Sequence, residues 1–425
     1  MAESLENKIR RITEPAYFKC VLIPRAKRHQ KHVVRCIRRR GKARLAFIVS
    51  SLPMWRFQPL LNLLLDDSRF EVTIAVYPFT NFSSSERVST AEEITSYFES
   101  INTNCINLCS EPKPGEILQG VVNPDIIFYP QPYNHLFYND LDCYSFNNRL
   151  LCYIPYASLT ASGDWPYKTY LNQIAWRLFF PSIASKQEAA TVLFNSGKNI
   201  RVVGEVIADL FSTPPSSDPW KKQTTPKKRI IWAPHYSIKD EGLLHRNSFI
   251  RLSEFMWEIA FSYQDRIQIA FKPHPRLKTE LYAMESWGKE KTDQYYARWE
   301  NGDNTQLETG SYIDLFKTSD AMIHDSSSFT VEYHLTGKPV FFTSDDLKDV
   351  FARLNPFGQE AIQAHYKGST EKEVIDFIDN VVLHGDDPML QTREAFYEKY
   401  LRPPGERSVA ENIYLEILIG LGFER

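Results

Sequence analysis

The stretch Ser319-Asp-Ala-Met-Ile-His-Asp-Ser-Ser-Ser-Phe-Thr-Val-Glu-Tyr-His-Leu-Thr-Gly-Lys-Pro-Val-Phe-Phe342 decides the fold. Ala321–His324 is an apolar run of strand length, Thr330–Thr336 reads as a helix closed by Gly337, and Pro339–Phe342 is a second apolar run. Short apolar runs without alternation suit strands buried on both faces, and a helix between two of them makes a parallel crossover. The same grammar extends towards the N-terminus. Arg229–Ala233 and Ile267–Phe271 read as strands, Asn247–Tyr263 and Tyr312–Thr318 as helices. A second series occupies the first half, with strands at Arg44–Ser50, Phe70–Tyr77, Pro124–Tyr129, Leu150–Ile154 and Arg201–Gly204, and helices at Phe57–Leu65 and near Ala91–Ser100. The predicted fold class is α/β, two Rossmann-like doubly wound domains facing a cleft.

At 425 residues the chain is too long for one ordinary core, and its 43% hydrophobic and 24% charged content is that of a globular protein. The expected boundaries are 1–44, a basic arm; 45–211, an N-terminal Rossmann-like domain; 212–228, a linker; 229–400, a C-terminal Rossmann-like domain; and 401–425, a C-terminal helix packing back on the first domain. The linker, Ser212 to Lys228, is polar and proline-rich. No run nears the roughly 18 apolar residues of a membrane span, and the charged start lacks the apolar segment of a secretory signal. Six cysteines do not make a disulfide framework, and Cys105 and Cys109 lack the partners of a zinc site, so no metal or cofactor is indicated.

The net charge of −2 hides an asymmetry: residues 1–44 hold 14 Lys or Arg against three Glu, leaving a balance of −13 for the rest. A basic arm seeks an anionic partner. Ala26–Arg40 reads as a helix in which Val33, Val34, Cys36 and Ile37 interrupt a basic face, as in helices that lie on anionic lipid. A solvated tail or an RNA-binding arm are the alternatives. The acidic body and the lack of an RNA-reading module favour the membrane and exclude nucleic acid as the expected partner.

Ligands of open parallel sheets bind beyond the carboxyl ends of the strands. Three strands of the second half end there in Pro234-His235-Tyr236, Pro273-His274-Pro275 and Asp325-Ser326-Ser327-Ser328. Hydroxyls before a helix start suit a phosphate or diphosphate, although a lone serine there is also an ordinary helix cap, with Asp325 helping. His274, with Lys272 and Arg276 nearby and a proline on either side, suits a phosphate-facing or acid–base role; His235 holds the same place one strand earlier. Glu332 either reaches a ribose hydroxyl or is a first-turn carboxylate suited to the helix dipole. In the first half, Ser51 and Trp55, Gln131, and Tyr156 follow three strands and suit a polyol or sugar acceptor, or a packed domain surface. The absence of Gly-x-Gly-x-x-Gly, Walker and His-Glu-x-x-His patterns sets aside the usual dinucleotide, nucleoside-triphosphatase and zinc-protease readings.

Trp232-Ala-Pro-His235, Lys272-Pro-His-Pro275 and the stretch quoted first resemble the donor half of the CDP-glycerol:poly(glycerophosphate) glycerophosphotransferases, the teichoic-acid and capsule polymerases. The resemblance covers roughly residues 200–345 and implies a GT-B fold, an enzyme, and peripheral attachment to the cytoplasmic, inner face of a bacterial cell membrane. It implies that His274 and Ser326–Ser328 meet the donor phosphates with Glu332 nearby. An acceptor hydroxyl, on a polymer or lipid-linked saccharide, would attack the β-phosphorus of CDP-glycerol and release CMP, with His274 and His235 the catalytic candidates. Lys272, Arg276 and Asp325 join the donor-binding set. Two departures stand out. The family's His-Gly-Thr-Pro motif, whose histidine is the presumed base, is replaced by Cys152-Tyr-Ile-Pro-Tyr-Ala-Ser158, and its Pro-Thr-x-Arg by Pro234-His-Tyr-Ser237. These leave open ribitol phosphate as the transferred group, a glycosyltransferase using a nucleotide sugar for capsule or lipopolysaccharide, and a non-catalytic membrane-bound scaffold.

Overall fold

The apolar runs of the first half pair into one parallel sheet in the computed structural model, which describes residues 15–137, 140–238 and 248–424. Its strands are β1 (Ala43–Val49), β2 (Phe70–Val76), β3 (Cys105–Asn107), β4 (Ile126–Tyr129), β5 (Leu150–Tyr153), β6 (Arg177–Phe180) and β7 (Ile200–Val202), in the order β3-β2-β1-β4-β5-β6-β7. β3 and β6 escape the sequence pattern, β3 because an edge strand of three residues leaves almost no apolar run. The helix expected near Ala91 begins earlier, at Ser84, because Ser83 and Glu86 form a reciprocal cap. The C-terminal helix Val409–Leu421 belongs to this unit: the Asp209 carboxylate accepts the Val409 and Ala410 N–H groups, each at 2.7 Å.

The basic arm is a built part of the same unit. The helix Ile23–Arg40 buries Ile23, Ala26, Val33 and Ile37, and packs against the helices Tyr170–Ile174 and Val409–Leu421. Val33 and Ile37, read from sequence as lying in a lipid-facing surface, point into the fold instead. Burying a Val or Ile side chain is worth about 1.5–3 kcal/mol, and the protein interior supplies that burial here. Gly41, at φ +70°, ends the helix in the left-handed conformation that glycine adopts without strain. The first 14 residues of the arm lie outside the described residues.

The second unit, 158–163 and 210–402, is built on β8 (Lys228–Ala233), β9 (Ile267–Phe271), β10 (Thr305–Leu307), β11 (Ala321–His324), β12 (Val340–Thr343) and β13 (Tyr366–Gly368). All pairs are parallel and the order is β10-β9-β8-β11-β12-β13. Trp232 centres the core, its ring 5.0 Å from Phe271, 5.4 Å from Trp299 and 5.8 Å from Phe249. Residues 212–228, expected as a linker, are strapped along this unit. Trp220 is buried and donates its indole N–H to Thr318 Oγ1 at 3.0 Å, and Ser216 and Ser217 donate to Asp314. The helix after β8 runs Ser248–Ser262; its expected first residue, Asn247, lies outside the described residues. The order of each sheet reverses beside its first strand, between β1 and β4 and between β8 and β11, which opens a ligand crevice at that point of an open sheet.

Candidate functional site

The β9, β8 and β11 strands are neighbours, so the loops leaving their carboxyl ends meet at the second crevice. The His235 and His274 rings lie 5.1 Å apart between centroids, and Tyr236 is 4.3 Å from the first and 4.5 Å from the second. The Arg276 guanidinium sits over the Tyr236 ring at 4.2 Å and pairs with Glu280 at 2.9 Å. Proline rigidity and a bond from His274 N–H to the Pro234 carbonyl (3.0 Å) hold the two loops together. Tyr236 went unassigned from sequence; its neighbour His235 was the only signal for it.

A repeated device sets the histidine chemistry. Ser237 N–H donates to His235 Nδ1 at 3.2 Å, and Arg276 N–H donates to His274 Nδ1 at 3.1 Å. A backbone N–H can only donate, so each Nδ1 is an unprotonated acceptor and each neutral ring carries its proton on Nε2. Burial, with the Arg276 and Lys272 cations beside it, pushes the His274 pKa down to about 4. His274 is therefore a neutral imidazole presenting an Nε2–H donor. The same tautomer applies to His235, which is buried.

Three expected donor ligands point inward. Asp325 is fully buried; its carboxylate accepts the His235 N–H at 2.5 Å and the Ser248 hydroxyl. It ties the β8 and β11 loops to the helix Ser248–Ser262, and burial without such partners would be prohibitive for a carboxylate. Lys272 is buried and donates Nζ to the Gly310 carbonyl at 2.8 Å; burial brings its pKa down to about 8. Glu332 is buried and accepts the Tyr312 hydroxyl at 2.5 Å. All three are held by these partners, which, distant in sequence, carried no signal.

Among the serines, Ser326 is buried and its carbonyl accepts the Thr330 hydroxyl at 2.9 Å, while Ser327 and Ser328 are partly exposed. The helix they open is a single α turn, Phe329–Glu332, passing into a 3-10 turn that ends at Gly337. The helix read over Thr330–Thr336 is this mixed segment, closed by Gly337 as expected, and its leading edge offers hydroxyls. Lys338 is used in the fold, donating Nζ to the carbonyls of Phe316 and Lys317.

In the first unit Ser51 and Trp55 follow β1, Gln131 follows β4 and Tyr156 follows β5, three neighbouring strands. Trp55 is committed to packing, edge-on to Phe47, Phe57 and Phe98 at 5.0–5.5 Å, with its indole N–H on Gln58. Gln131 Nε2 lies 3.9 Å from the Met54 sulfur. Burial raises the pKa of Tyr156 and the Arg56 charge opposes that rise, which places a cation, missed from sequence, by this edge. Among the described residues no group of three metal-ligating side chains occurs, and no helix is long and apolar enough to cross a membrane.

Two doubly wound parallel units of this kind are those of the GT-B architecture, and the second carries two imidazoles, a guanidinium and hydroxyls at its crevice. Residues 222–418 match the model of the CDP-glycerol:poly(glycerophosphate) glycerophosphotransferase family. No curated protein matches the chain by sequence. Similar solved structures include S. aureus MnaA with UDP (15% identity, 90% of this chain and 98% of that one, TM-score 0.57). A UDP-GlcNAc 2-epimerase from Neisseria meningitidis bound to UDP-GlcNAc is 16% identical over 89% and 99%, TM-score 0.56. The wall teichoic acid polymerase TagF, soaked with CDPG, is 12% identical over 99% of both chains, TM-score 0.55. At these identities the likeness establishes the fold.

Proposed function

We propose that this chain transfers glycerol phosphate from CDP-glycerol to a hydroxyl of a cell-surface polymer or lipid-linked acceptor. The observation that carries the reading is the meeting of His235, His274, Arg276, Ser327 and Ser328 at one crevice inside the family-matched segment. An oxygen of the acceptor hydroxyl bonds to the β-phosphorus, the bridging oxygen leaves with CMP, and the hydroxyl proton is released. Phosphoryl transfer of this kind has a loose transition state, so positioning and charge stabilisation do most of the work. The two Nε2–H groups and Arg276 supply donors and positive charge to the diphosphate, and the serine hydroxyls supply further hydrogen bonds. Asp325 and Lys272 keep those loops in register.

The enzyme works at the inner, cytoplasmic surface of a bacterial membrane in this reading. The outward side of the helix Ile23–Arg40 carries Arg25, Arg28 and Arg39, all exposed, and meets anionic lipid by charge. The test of the reaction is CMP release from CDP-glycerol supplied with a polyol-phosphate or lipid-linked saccharide acceptor. Turnover of CDP-ribitol or of a UDP-sugar in place of CDP-glycerol would refute the donor, and failure to bind any nucleotide would leave a scaffold.

A further inference from the structure

Beside the arm helix, in the first unit, lies a groove of about 640 Å³ that the proposed reaction does not use. Four of its walls' side chains, Lys27, Lys31, Arg35 and Arg38, come from the helix Ile23–Arg40; Arg177 and Lys198 face them from the chain segments that lead into β6 and β7. Among the described residues no carboxylate lines it; the nearest ion pair is Arg177 with Glu416, at 3.9 Å. A second depression of about 350 Å³, also bordered by Lys27 and Lys198 and extended by Lys19, adjoins it.

The cations are arranged as a row. Lys27, Lys31 and Arg35 are four residues apart on a helix that contains no acidic residue. Four residues of helix rise about 6 Å. Like charges at that spacing cost a helix a few tenths of a kcal/mol per pair, a cost that a bound row of anions would reverse. A polyol-phosphate chain of the glycerol type repeats every six skeletal bonds of about 1.5 Å, which in a staggered chain brings its phosphates about 6–7 Å apart. The floor is poor in exposed rings: Trp176 is buried, with the Arg177 guanidinium over it at 4.7 Å. A single-stranded nucleic acid, which has similar phosphate spacing, needs exposed aromatic platforms for its bases. A bilayer is flat and meets the convex outer side of the helix, not a trough.

We infer that this groove holds the growing polyol-phosphate chain at a distance from the chemistry. The ligand's identity rests on the proposed transferase reading; the groove's taste for a spaced polyanion does not. The segments before β6 and β7 border it, so it lies towards the amino ends of the strands, whereas Ser51, Gln131 and Tyr156 follow carboxyl ends. A seven-residue strand such as β1 spans about 23 Å, so a chain held in the groove needs about four further repeats to pass the sheet. Acceptors longer than that reach gain affinity, and shorter ones do not.

The test is direct binding of an end-labelled glycerol-phosphate oligomer of about eight units to the full chain, followed by fluorescence anisotropy without any donor. Lys31→Glu with Arg35→Glu is compared with the charge-matched pair Arg25→Glu with Arg28→Glu on the outer side. The new acids sit four residues from Lys27 and Arg39 but also four from each other, so two attractions are set against one repulsion; Lys27→Gln with Lys198→Gln, on two different elements, serves if the first pair fails to fold. With four phosphates neutralised, the log–log salt slope is about −3, from roughly −0.7 per phosphate, and the groove variant should bring it to about half while weakening binding at least about tenfold. The outer-side variant should stay within about twofold. Equal losses in both variants, or an oligonucleotide, inorganic phosphate or anionic vesicles competing as well as the oligomer, would overturn the inference. Because no turnover is read, an oligomer that binds here without CMP release elsewhere would sink the transferase reading alone.

Discussion

His274 gives the sharpest test of how the crevice works. Its Nδ1 is occupied by the Arg276 N–H at 3.1 Å, and its pKa is near 4, so at pH 7 only about one ring in a thousand is charged. The ring can donate from Nε2 and cannot take a proton there. Two amides separate the functions. In His274→Gln the amide NH₂ falls near the former Nε2 and keeps a donor; in His274→Asn the carbonyl falls near the former Nδ1 and keeps the acceptor for Arg276. Removing one donor to a developing anionic oxygen costs about 10²–10³ in rate, or about 2.7–4 kcal/mol. His274→Asn should lose that amount, as His274→Ala should, while His274→Gln should stay within about tenfold of the parent. The assay is the initial rate of CMP release from CDP-glycerol with a saturating acceptor, alongside CDP affinity by calorimetry. If His274→Gln is as inactive as His274→Asn while both bind CDP as the parent does, the ring acts as a base and the tautomer reasoning fails.

Other expectations follow from the same geometry. Asp325→Asn should destabilise the second unit by about 3 kcal/mol, because two buried hydrogen bonds lose their charged acceptor; chemical denaturation reads it, and an unchanged midpoint would refute a positioning role. Stability should fall on acidification. Burial lowers His334 to about 3, His274 to about 4 and His365 well below its usual value. Above pH 6.5 neither state binds these protons; below it the unfolded chain takes them up and the native one does not, so stability is lost progressively towards the native values. Three such groups give about 4 kcal/mol per pH unit between roughly pH 6 and 4, and a denaturation midpoint that holds level from pH 6.5 to 5 would show that they are not buried as neutral rings.

The parallel architecture was legible because each central strand is an apolar run closed by a turn, as Ala321–His324 is closed by Asp325 and the serines. Of the unread strands, β3, β10 and β13 are three-residue edges, where pairing with one neighbour needs little apolar surface, while β6 is an interior strand of four residues. The meeting of His235 with His274 was legible for a topological reason: neighbouring parallel strands end on the same side, so their following residues converge. Which of the loop residues are buried was not. Asp325 and Glu332 turn inward only because Ser248 and Tyr312, far away in sequence, stand ready to donate to them. The arm misled in the same way, since Val33 and Ile37 are as apolar under a protein helix as they would be in lipid.

A third histidine completes the reasoning about the proton. His324, the last residue of β11, also accepts an N–H from two residues on, Ser326, at 3.1 Å, and it is buried. The device therefore belongs to the strand end, where the chain turns and an N–H has no ladder partner, and it fixes the tautomer wherever a histidine stands there. At His324 it serves packing; at His235 and His274 it faces the crevice and yields two permanent N–H donors. A charged ring at either place would set N–H against N–H, so the fold itself opposes protonation, apart from burial. In the proposed reaction these donors would stabilise negative charge on phosphate and would not remove a proton. In a loose transition state the attacking hydroxyl loses its proton late, when the diphosphate bond is already largely broken. In the proposed reaction, stabilising the departing CMP and the transferred group then matters more than a strong base, which agrees with a chain that lacks the His-Gly-Thr-Pro motif and still carries His235 and His274.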